Sequence, residues 1–267
     1  MVSLLRTLSR SLSTSKSFAT TSPYHLPHVS PNPEYSPGTP SPPPFPHSIN
    51  DFTTILPGNI SNDYKLIIST VTPRPIALIS TKSIEGICNL SPYSFFNAMG
   101  HDPPILTFGC IARRNEDGCS DTHRNLIDTK SCVVHVVSEW MVEAANHSCG
   151  PYDPSVDEIP LTGLTTFPGT HVDVPRISEC AVAMECTLDA THPITNSDGK
   201  VTSTIMICRV VATHVNNHVY DAEQGVCDTE QLKPMSRLGG DTYGQTKDVF
   251  DLPRPRPNKD GSLGVPS

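Results

Sequence analysis

Ten of the chain's 27 prolines fall between Pro23 and Pro46, and that crowding decides where a fold can begin. Each proline fixes its own φ and removes a backbone N–H, so the stretch can enter neither a helix interior nor a central strand. Residues 23–49 are therefore expected to form an extended Pro/Ser linker. A second proline-rich run, Leu252-Pro-Arg-Pro-Arg-Pro-Asn-Lys-Asp-Gly, sets 251–267 aside as a tail. Of the 267 residues, about 200 remain between 50 and 250, enough for one well-buried core.

Ahead of the linker, Leu4, Leu5, Leu8 and Leu12 share one face of a helical projection, with Arg6 and Arg10 elsewhere and no acidic residue before Glu34. An acid-free amphipathic cation of this kind is expected to be a mitochondrial transit peptide over residues 1–22; without import the chain would be cytoplasmic. Past residue 33 the balance reverses, with 16 basic groups against 27 acidic ones. So acidic a body is a poor partner for nucleic acid, where Lys and Arg must neutralise phosphates. No apolar run approaches the roughly 20 residues that cross a bilayer, so no membrane insertion is expected. The nine cysteines are odd in number and show no CxxC pair, which reads as reduced thiols packed as small hydrophobes. The histidines carry no HExxH motif, and no metal centre is expected.

Residue patterns give the elements. Asn62-Asp63 can cap a short helix that Pro73 and Pro75 stop. Strands are expected at 76–80, 88–91, 105–111 and 132–137, the last strongly β-branched. Ser120-Asp-Thr-His opens a helix through residue 129, and 139–147 reads as another. Strands near 181–188 and 201–214, joined by a turn at Asn196-Ser-Asp-Gly199, form a hairpin. Mostly antiparallel β with three or four short helices implies a barrel or a sandwich. No GxGxxG follows a strand and no P-loop is present, so a dinucleotide-binding α/β fold has no support.

The chemistry concentrates in one segment. Asn89, Ser91, Tyr93, Ser94 and Asn97 place five hydrogen-bonding side chains within nine positions, around Pro92. Small polar groups beside a strand end make a cradle for a polar planar ligand or a phosphate. Tyr93, Phe95 and Phe96 supply apolar walls, and Arg74 is a candidate counter-charge. The amide-rich start of the helix at 120 offers a second anion-binding feature through Asp121 and Thr122.

The run Pro73-Arg-Pro-Ile-Ala-Leu-Ile-Ser-Thr81, followed by Asn89-Leu-Ser-Pro-Tyr-Ser-Phe-Phe-Asn97, resembles the flavin reductase-like family of FMN-binding split barrels. Ser120-Asp-Thr-His-Arg-Asn125 is similar to that family's Lys-Asp-Thr-x-x-Asn helix start, with Ser120 where the family has Lys. Ser236-Arg-Leu-Gly-Gly240 with Tyr243 resembles its closing motif, and the likeness spans about 60–245. The resemblance implies a mainly β fold: an antiparallel, Greek-key-like FMN-binding split β-barrel with a few short peripheral helices. It implies FMN as cofactor, NAD(P)H as co-substrate, free flavin or another molecule as electron acceptor, and a homodimer. It adds Ser80, Thr81, Asn89, Ser91 and Ser94 as first-motif contacts, Asp121 and Thr122 at the helix start, and Arg237 with Tyr243 bordering the flavin. Arg113, Arg114, Arg124 or Lys82 would replace the missing lysine charge. No catalytic residue is assigned; His101 and His214 are the nearest candidates. The alternative is a barrel that binds FMN without efficient turnover.

Overall fold

The segment Ile76-Ala-Leu-Ile-Ser80 is apolar on both faces of an extended chain, because successive side chains point to opposite sides, so it must be covered twice. It is. Ala77 and Ile79 enter one core with Phe108, Cys132, Val134 and Met206, while Leu78 enters a second with Leu90, Val137, Met141 and Ile177. The computed structural model describes residues 30–36, 38, 52–113, 118–252 and 254. Residues 1–22, assigned above to a transit peptide, lie outside them, as do most of 23–49 and of 251–267.

Helix α1 (Ile60–Thr70) leads through β1 (Arg74–Pro75) to β2 (Ala77–Lys82), β3 (Cys88–Tyr93), β4 (Phe96–His101) and β5 (Pro104–Ile111). Helix α2 (Asp121–Thr129) and β6 (Ser131–Val136) follow, then a 3-10 turn at Glu139–Met141, α3 (Val142–His147), α4 (Ile159–Thr162), β7 (Thr166–Phe167) and β8 (Arg176–Ile177). The long strands β9 (Val182–Thr195) and β10 (Val201–Val215) precede β11 (Tyr220–Asp221), β12 (Val226–Cys227), α5 (Thr229–Leu232), β13 (Met235–Gly239) and β14 (Thr242–Gln245). Seven strands join in the order β3-β2-β6-β9-β10-β5-β4, and β1, β13 and β14 form a separate three-stranded sheet. Every ladder is antiparallel.

The large sheet curls until its ends meet. β3 and β4 are its two edges yet follow one another in the chain; where they join, the Gly109 amide donates to the Phe95 carbonyl at 2.8 Å. Tyr93 packs against Phe108 with ring centroids 5.2 Å apart. Inward residues of β2, β5, β6, β9 and β10 thereby share one core. Cys132, Cys186 and Cys208 are fully buried there, and all nine cysteines are free. Only four are buried, however, and Cys149 is exposed, so packing as small hydrophobes accounts for part of the set.

Several boundaries differ from the sequence reading. Asn59, not Asn62, caps α1, its side chain accepting from the Asn62 amide at 3.2 Å. β9 runs on past 188 through Asp189, His192 and Pro193. Beyond Leu188 it pairs with β10 alone, since β6 reaches only Thr187, so polar side chains and a proline are tolerated on the open edge. β4 escaped the sequence reading because Phe-Asn-Ala-Met-Gly-His does not alternate; it is an exposed edge strand held by β5, with an irregularity between Ala98 and Gly100.

Two buried polar groups fix the outer layer. Glu185 on β9 is fully buried, and its carboxylate accepts from the amides of Thr170 (2.8 Å), His171 (2.6 Å) and Val172 (2.9 Å), from the Thr170 hydroxyl and from His214 Nε2 at 2.6 Å. Burial opposes the charge, but these donors hold its pKa down to about 2. His135 on β6 donates from Nδ1 to the Leu78 carbonyl at 2.9 Å and accepts the Ile177 amide on Nε2 at 3.0 Å. That arrangement needs the neutral ring, and burial, with the Arg176 charge adding to it, holds the pKa down to about 4.

Because the unfolded chain protonates His135 first, stability from this residue is complete above the ordinary histidine pKa near 6.5 and is lost as pH falls toward 4. Urea unfolding should therefore show a loss of roughly 2–3 kcal/mol between pH 7 and 4.5 that His135→Gln, less stable at pH 7, does not share. Equal losses in the two proteins would assign the pH dependence elsewhere.

Candidate functional site

Helix α2 is placed by its first turn. Ser120 is the N-cap, its hydroxyl accepting the His123 amide at 3.3 Å. Below it the Thr81 hydroxyl accepts from the side-chain amides of Asn89 (3.3 Å) and Asn125 (3.1 Å), and Asn89 also donates to the Thr122 hydroxyl at 2.9 Å. All four residues are buried. This polar knot ties β2 and β3 to the start of α2, and a buried network of this kind is favourable only when its members find partners.

Next to the knot, further along β3, lies a cleft of about 460 Å³ lined by Ser91, Pro92, Tyr93, Ser94, Phe95 and Ser120, with Tyr64, Gly109 and Arg113 on its other walls. Its size is that of a small-molecule site. The Tyr93 hydroxyl lies 3.4 Å from Ser120 Oγ, and burial pushes its pKa up, so it stays protonated. Helix geometry gives the Asp121 and Thr122 amides no acceptor within α2, which leaves a partial positive charge at the helix start, whose N-cap Ser120 lines the cleft. The residues thus fit a ligand with a planar apolar part and an anionic end.

The sequence-derived residues fall into separate groups. Ser91, Tyr93 and Ser94 line the cleft. Thr81, Asn89 and Thr122 form the knot next to it, and Asp121 lines a neighbouring 100 Å³ pocket with Asn89, Arg124 and Glu158. Ser80 points to the opposite side of the sheet, its hydroxyl donating to the Pro175 carbonyl at 2.7 Å. Arg74 is buried and caps the end of α1, donating to the carbonyls of Ile68 and Val71 and, at 3.4 Å, to Ser94 Oγ. Burial and then the Arg237 charge lower its pKa. Arg74 and Arg237 are cross-strand partners; Arg237 lies 4.4 Å from the centroid of the Tyr243 ring and donates to the Gly240 carbonyl.

Of the candidate replacement charges, Arg124 is turned to Asp121 at 2.7 Å and Lys82 to Asp173 at 2.6 Å. Arg114 lies outside the described residues, and Arg113 borders the cleft. His214 is held by Glu185 and His101 ends the exposed β4; neither lines the cleft. Tyr64, Gly109 and Cys149 line it without having been singled out in the sequence. The one available signal was Tyr64, four residues after Ile60 on an apolar helix stripe.

A model of the flavin reductase like domain matches residues 69–231. The chain belongs to that family. An uncharacterized protein of Bacillus subtilis, YwrF, is 39% identical over 192 residues, 72% of this chain and 93% of the relative. The structure of nitrilotriacetate monooxygenase component B from Bacillus cereus is similar with a TM-score of 0.72 and 33% identity, covering 76% of this chain and all of that one. A Shewanella frigidimarina protein with a split barrel domain shares the fold with a TM-score of 0.63 and 20% identity, over 73% of this chain and 93% of its own. The mainly antiparallel barrel with few short helices is that split barrel, and the segment 73–97 supplies Thr81 and Asn89 to the knot and residues 91–95 to the cleft.

If the knot ties β2 and β3 to α2, Asn89→Ala should lower the unfolding free energy by about 1–3 kcal/mol, the cost of leaving buried partners unmet. Denaturant titration checks this; an unchanged midpoint would show that the tie does not depend on it.

Proposed function

We propose that the chain is an FMN-dependent oxidoreductase that takes hydride from NAD(P)H and passes electrons to free flavin or another acceptor. The observation that carries this reading is the cleft itself, in which the hydroxyls of Ser91, Ser94 and Ser120 and the walls of Tyr93 and Phe95 converge within the family's domain. Ser91 and Ser94 would bind the phosphate end with the amides of Asp121 and Thr122. Pro92 stiffens the backbone at the wall, and Tyr93 and Phe95 exclude water from the ring edge. Arg74 acts as a positioning residue, since its guanidinium holds the Ser94 hydroxyl. FMN, when bound, supplies reversible acceptance of a hydride. The dihydronicotinamide loses its hydride with the bonding pair and leaves oxidised; no protein acid or base is required for that step, and none is assigned.

A homodimer belongs to the same reading. Ile60, Tyr64 and Ile67 at helical spacing on α1, with Val71 just past its end, are between 49% and 86% exposed, an apolar stripe beside the cleft that a second copy would cover. Light scattering should give a dimer; a monomer carrying a full complement of flavin would refute it.

A second reading, FMN binding without efficient turnover, is favoured by one observation. Ser120 is a buried cap where the resemblance leads one to expect lysine, and the nearby Arg124 is paired with Asp121. The visible spectrum of the purified protein separates the two. Flavin bands that bleach promptly on adding NADPH or NADH support the oxidoreductase; bands that persist support the binding module. No bands after incubation with FMN and desalting would refute both. Replacing Ser91 and Ser94 together by Ala should weaken FMN about tenfold in fluorescence titration, the loss of one or two net hydrogen bonds.

A further inference from the structure

The cleft described above opens beside a larger one. Between the β9–β10 turn and the segment following β5 lies a cavity of about 950 Å³, bordered by Arg113, His123, Asn196, Lys200, Thr202 and Ser203 among others. The two cavities share Ala112 and Arg113 as wall, so a ligand filling one meets a ligand filling the other. The larger cavity also carries an unusual charge. The chain has net charge −8, yet the described lining of this cavity contains Arg113, Lys200 and His123 and no carboxylate.

Lys200 is the cation that the hairpin turn contributes to this cavity. Among the described residues, Lys82, Arg124, Arg176, Arg209 and Lys233 each have a carboxylate within 4.0 Å, and Lys200 has none. Its backbone is fixed. Asn196 Oδ1 accepts the amides of Asp198 (3.1 Å) and Lys200 (3.0 Å), the Asn196 amide donates to the Lys200 carbonyl at 2.9 Å, and Gly199 takes the left-handed conformation at φ +74°. A rigid turn thus presents an ammonium with no carboxylate partner to a roomy cavity that shares a wall with the flavin cleft. Asp198, in the same turn, does not line the cavity.

We infer that this cavity receives the phosphate-bearing part of the reducing dinucleotide, with Lys200 as the residue that binds its negative charge. The inference rests on the oxidoreductase reading for its ligand and adds the location and the specificity residue. The nicotinamide would reach the shared wall at Ala112 and Arg113, while the phosphates extend toward the hairpin turn. A cation in the turn favours a dinucleotide with an additional phosphate, since Coulomb attraction grows with ligand charge and the described lining holds no carboxylate to offset it.

Calorimetric titration of NADP⁺ and NAD⁺ into the FMN-loaded protein tests this without relying on turnover. Lys200→Glu should weaken NADP⁺ about tenfold and Lys200→Ala a few-fold, with FMN affinity by fluorescence unchanged in both; the unchanged FMN affinity also reports that the fold is intact. A loss confined to NADP⁺ would place Lys200 at the extra phosphate. An unaltered NADP⁺ affinity in Lys200→Glu overturns the inference, as does wild-type protein that binds neither dinucleotide. Binding that weakens as expected, in a protein that never bleaches with NADPH, upholds the site and removes the oxidoreductase reading alone.

Discussion

Everything at the site depends on one hydroxyl. Thr81 Oγ1 accepts from two side-chain amides, one on β3 and one on α2, and so fixes the distance between the barrel wall and the helix start. Without that constraint Ser120, at the head of α2, and Ser91, on β3, would belong to elements free to shift against each other. An apolar core alone is tolerant of sliding, because dispersion and burial have little direction. The buried knot supplies direction where the chemistry needs it, and it can sit in the interior only because its donors and acceptors are paired.

The opposite side of the sheet is organised by the same logic with a charge. Glu185 lies fully buried on β9 and gathers three successive amides, Thr170, His171 and Val172, pulling that segment over Val133 and Ala183. Gly169 is required for so tight an approach: a Cβ there would stand 2.2 Å from the Val172 carbonyl oxygen. The inward neighbour of Glu185, Cys186, lies in the barrel core. One strand thereby carries the interior on alternate residues and the outer strap on the others, which is why a two-residue period alone could not reveal what Glu185 does.

The sequence made the antiparallel barrel legible wherever burial was one-sided or complete: β2, β5, β6 and the β9–β10 hairpin announce themselves through apolar or β-branched runs. It failed where strands exist by pairing alone. β4 and the β1–β13–β14 sheet have no periodic signal, because their faces are exposed or rest on Gly and Arg. The site was legible as a segment and not as a geometry. Ser91, Tyr93 and Ser94 face the cleft, but Ser80, two positions from Leu78, falls on the outer face by strand alternation and spends its hydroxyl on Pro175. Arg74 illustrates the other limit: a cation beside a polar motif suggests a counter-charge, yet its donors go to the carbonyls that end α1, a partner set that depends on how α1 packs and not on spacing.

That spending of charge bears on how two anionic ligands would share one face of an acidic protein. On the proposed reading the FMN phosphate meets hydroxyls and helix-start amides, whereas the dinucleotide phosphates meet Lys200. Neutral donors are oriented dipoles whose attraction falls off within about one helix turn, so they hold one phosphate without drawing in a second. An exposed ammonium acts over about 10 Å at ordinary ionic strength and suits a ligand that must arrive and leave in every cycle. Arg113, on the wall common to both cavities, stands between the two ligands. Its charge there would act on both ligands at once.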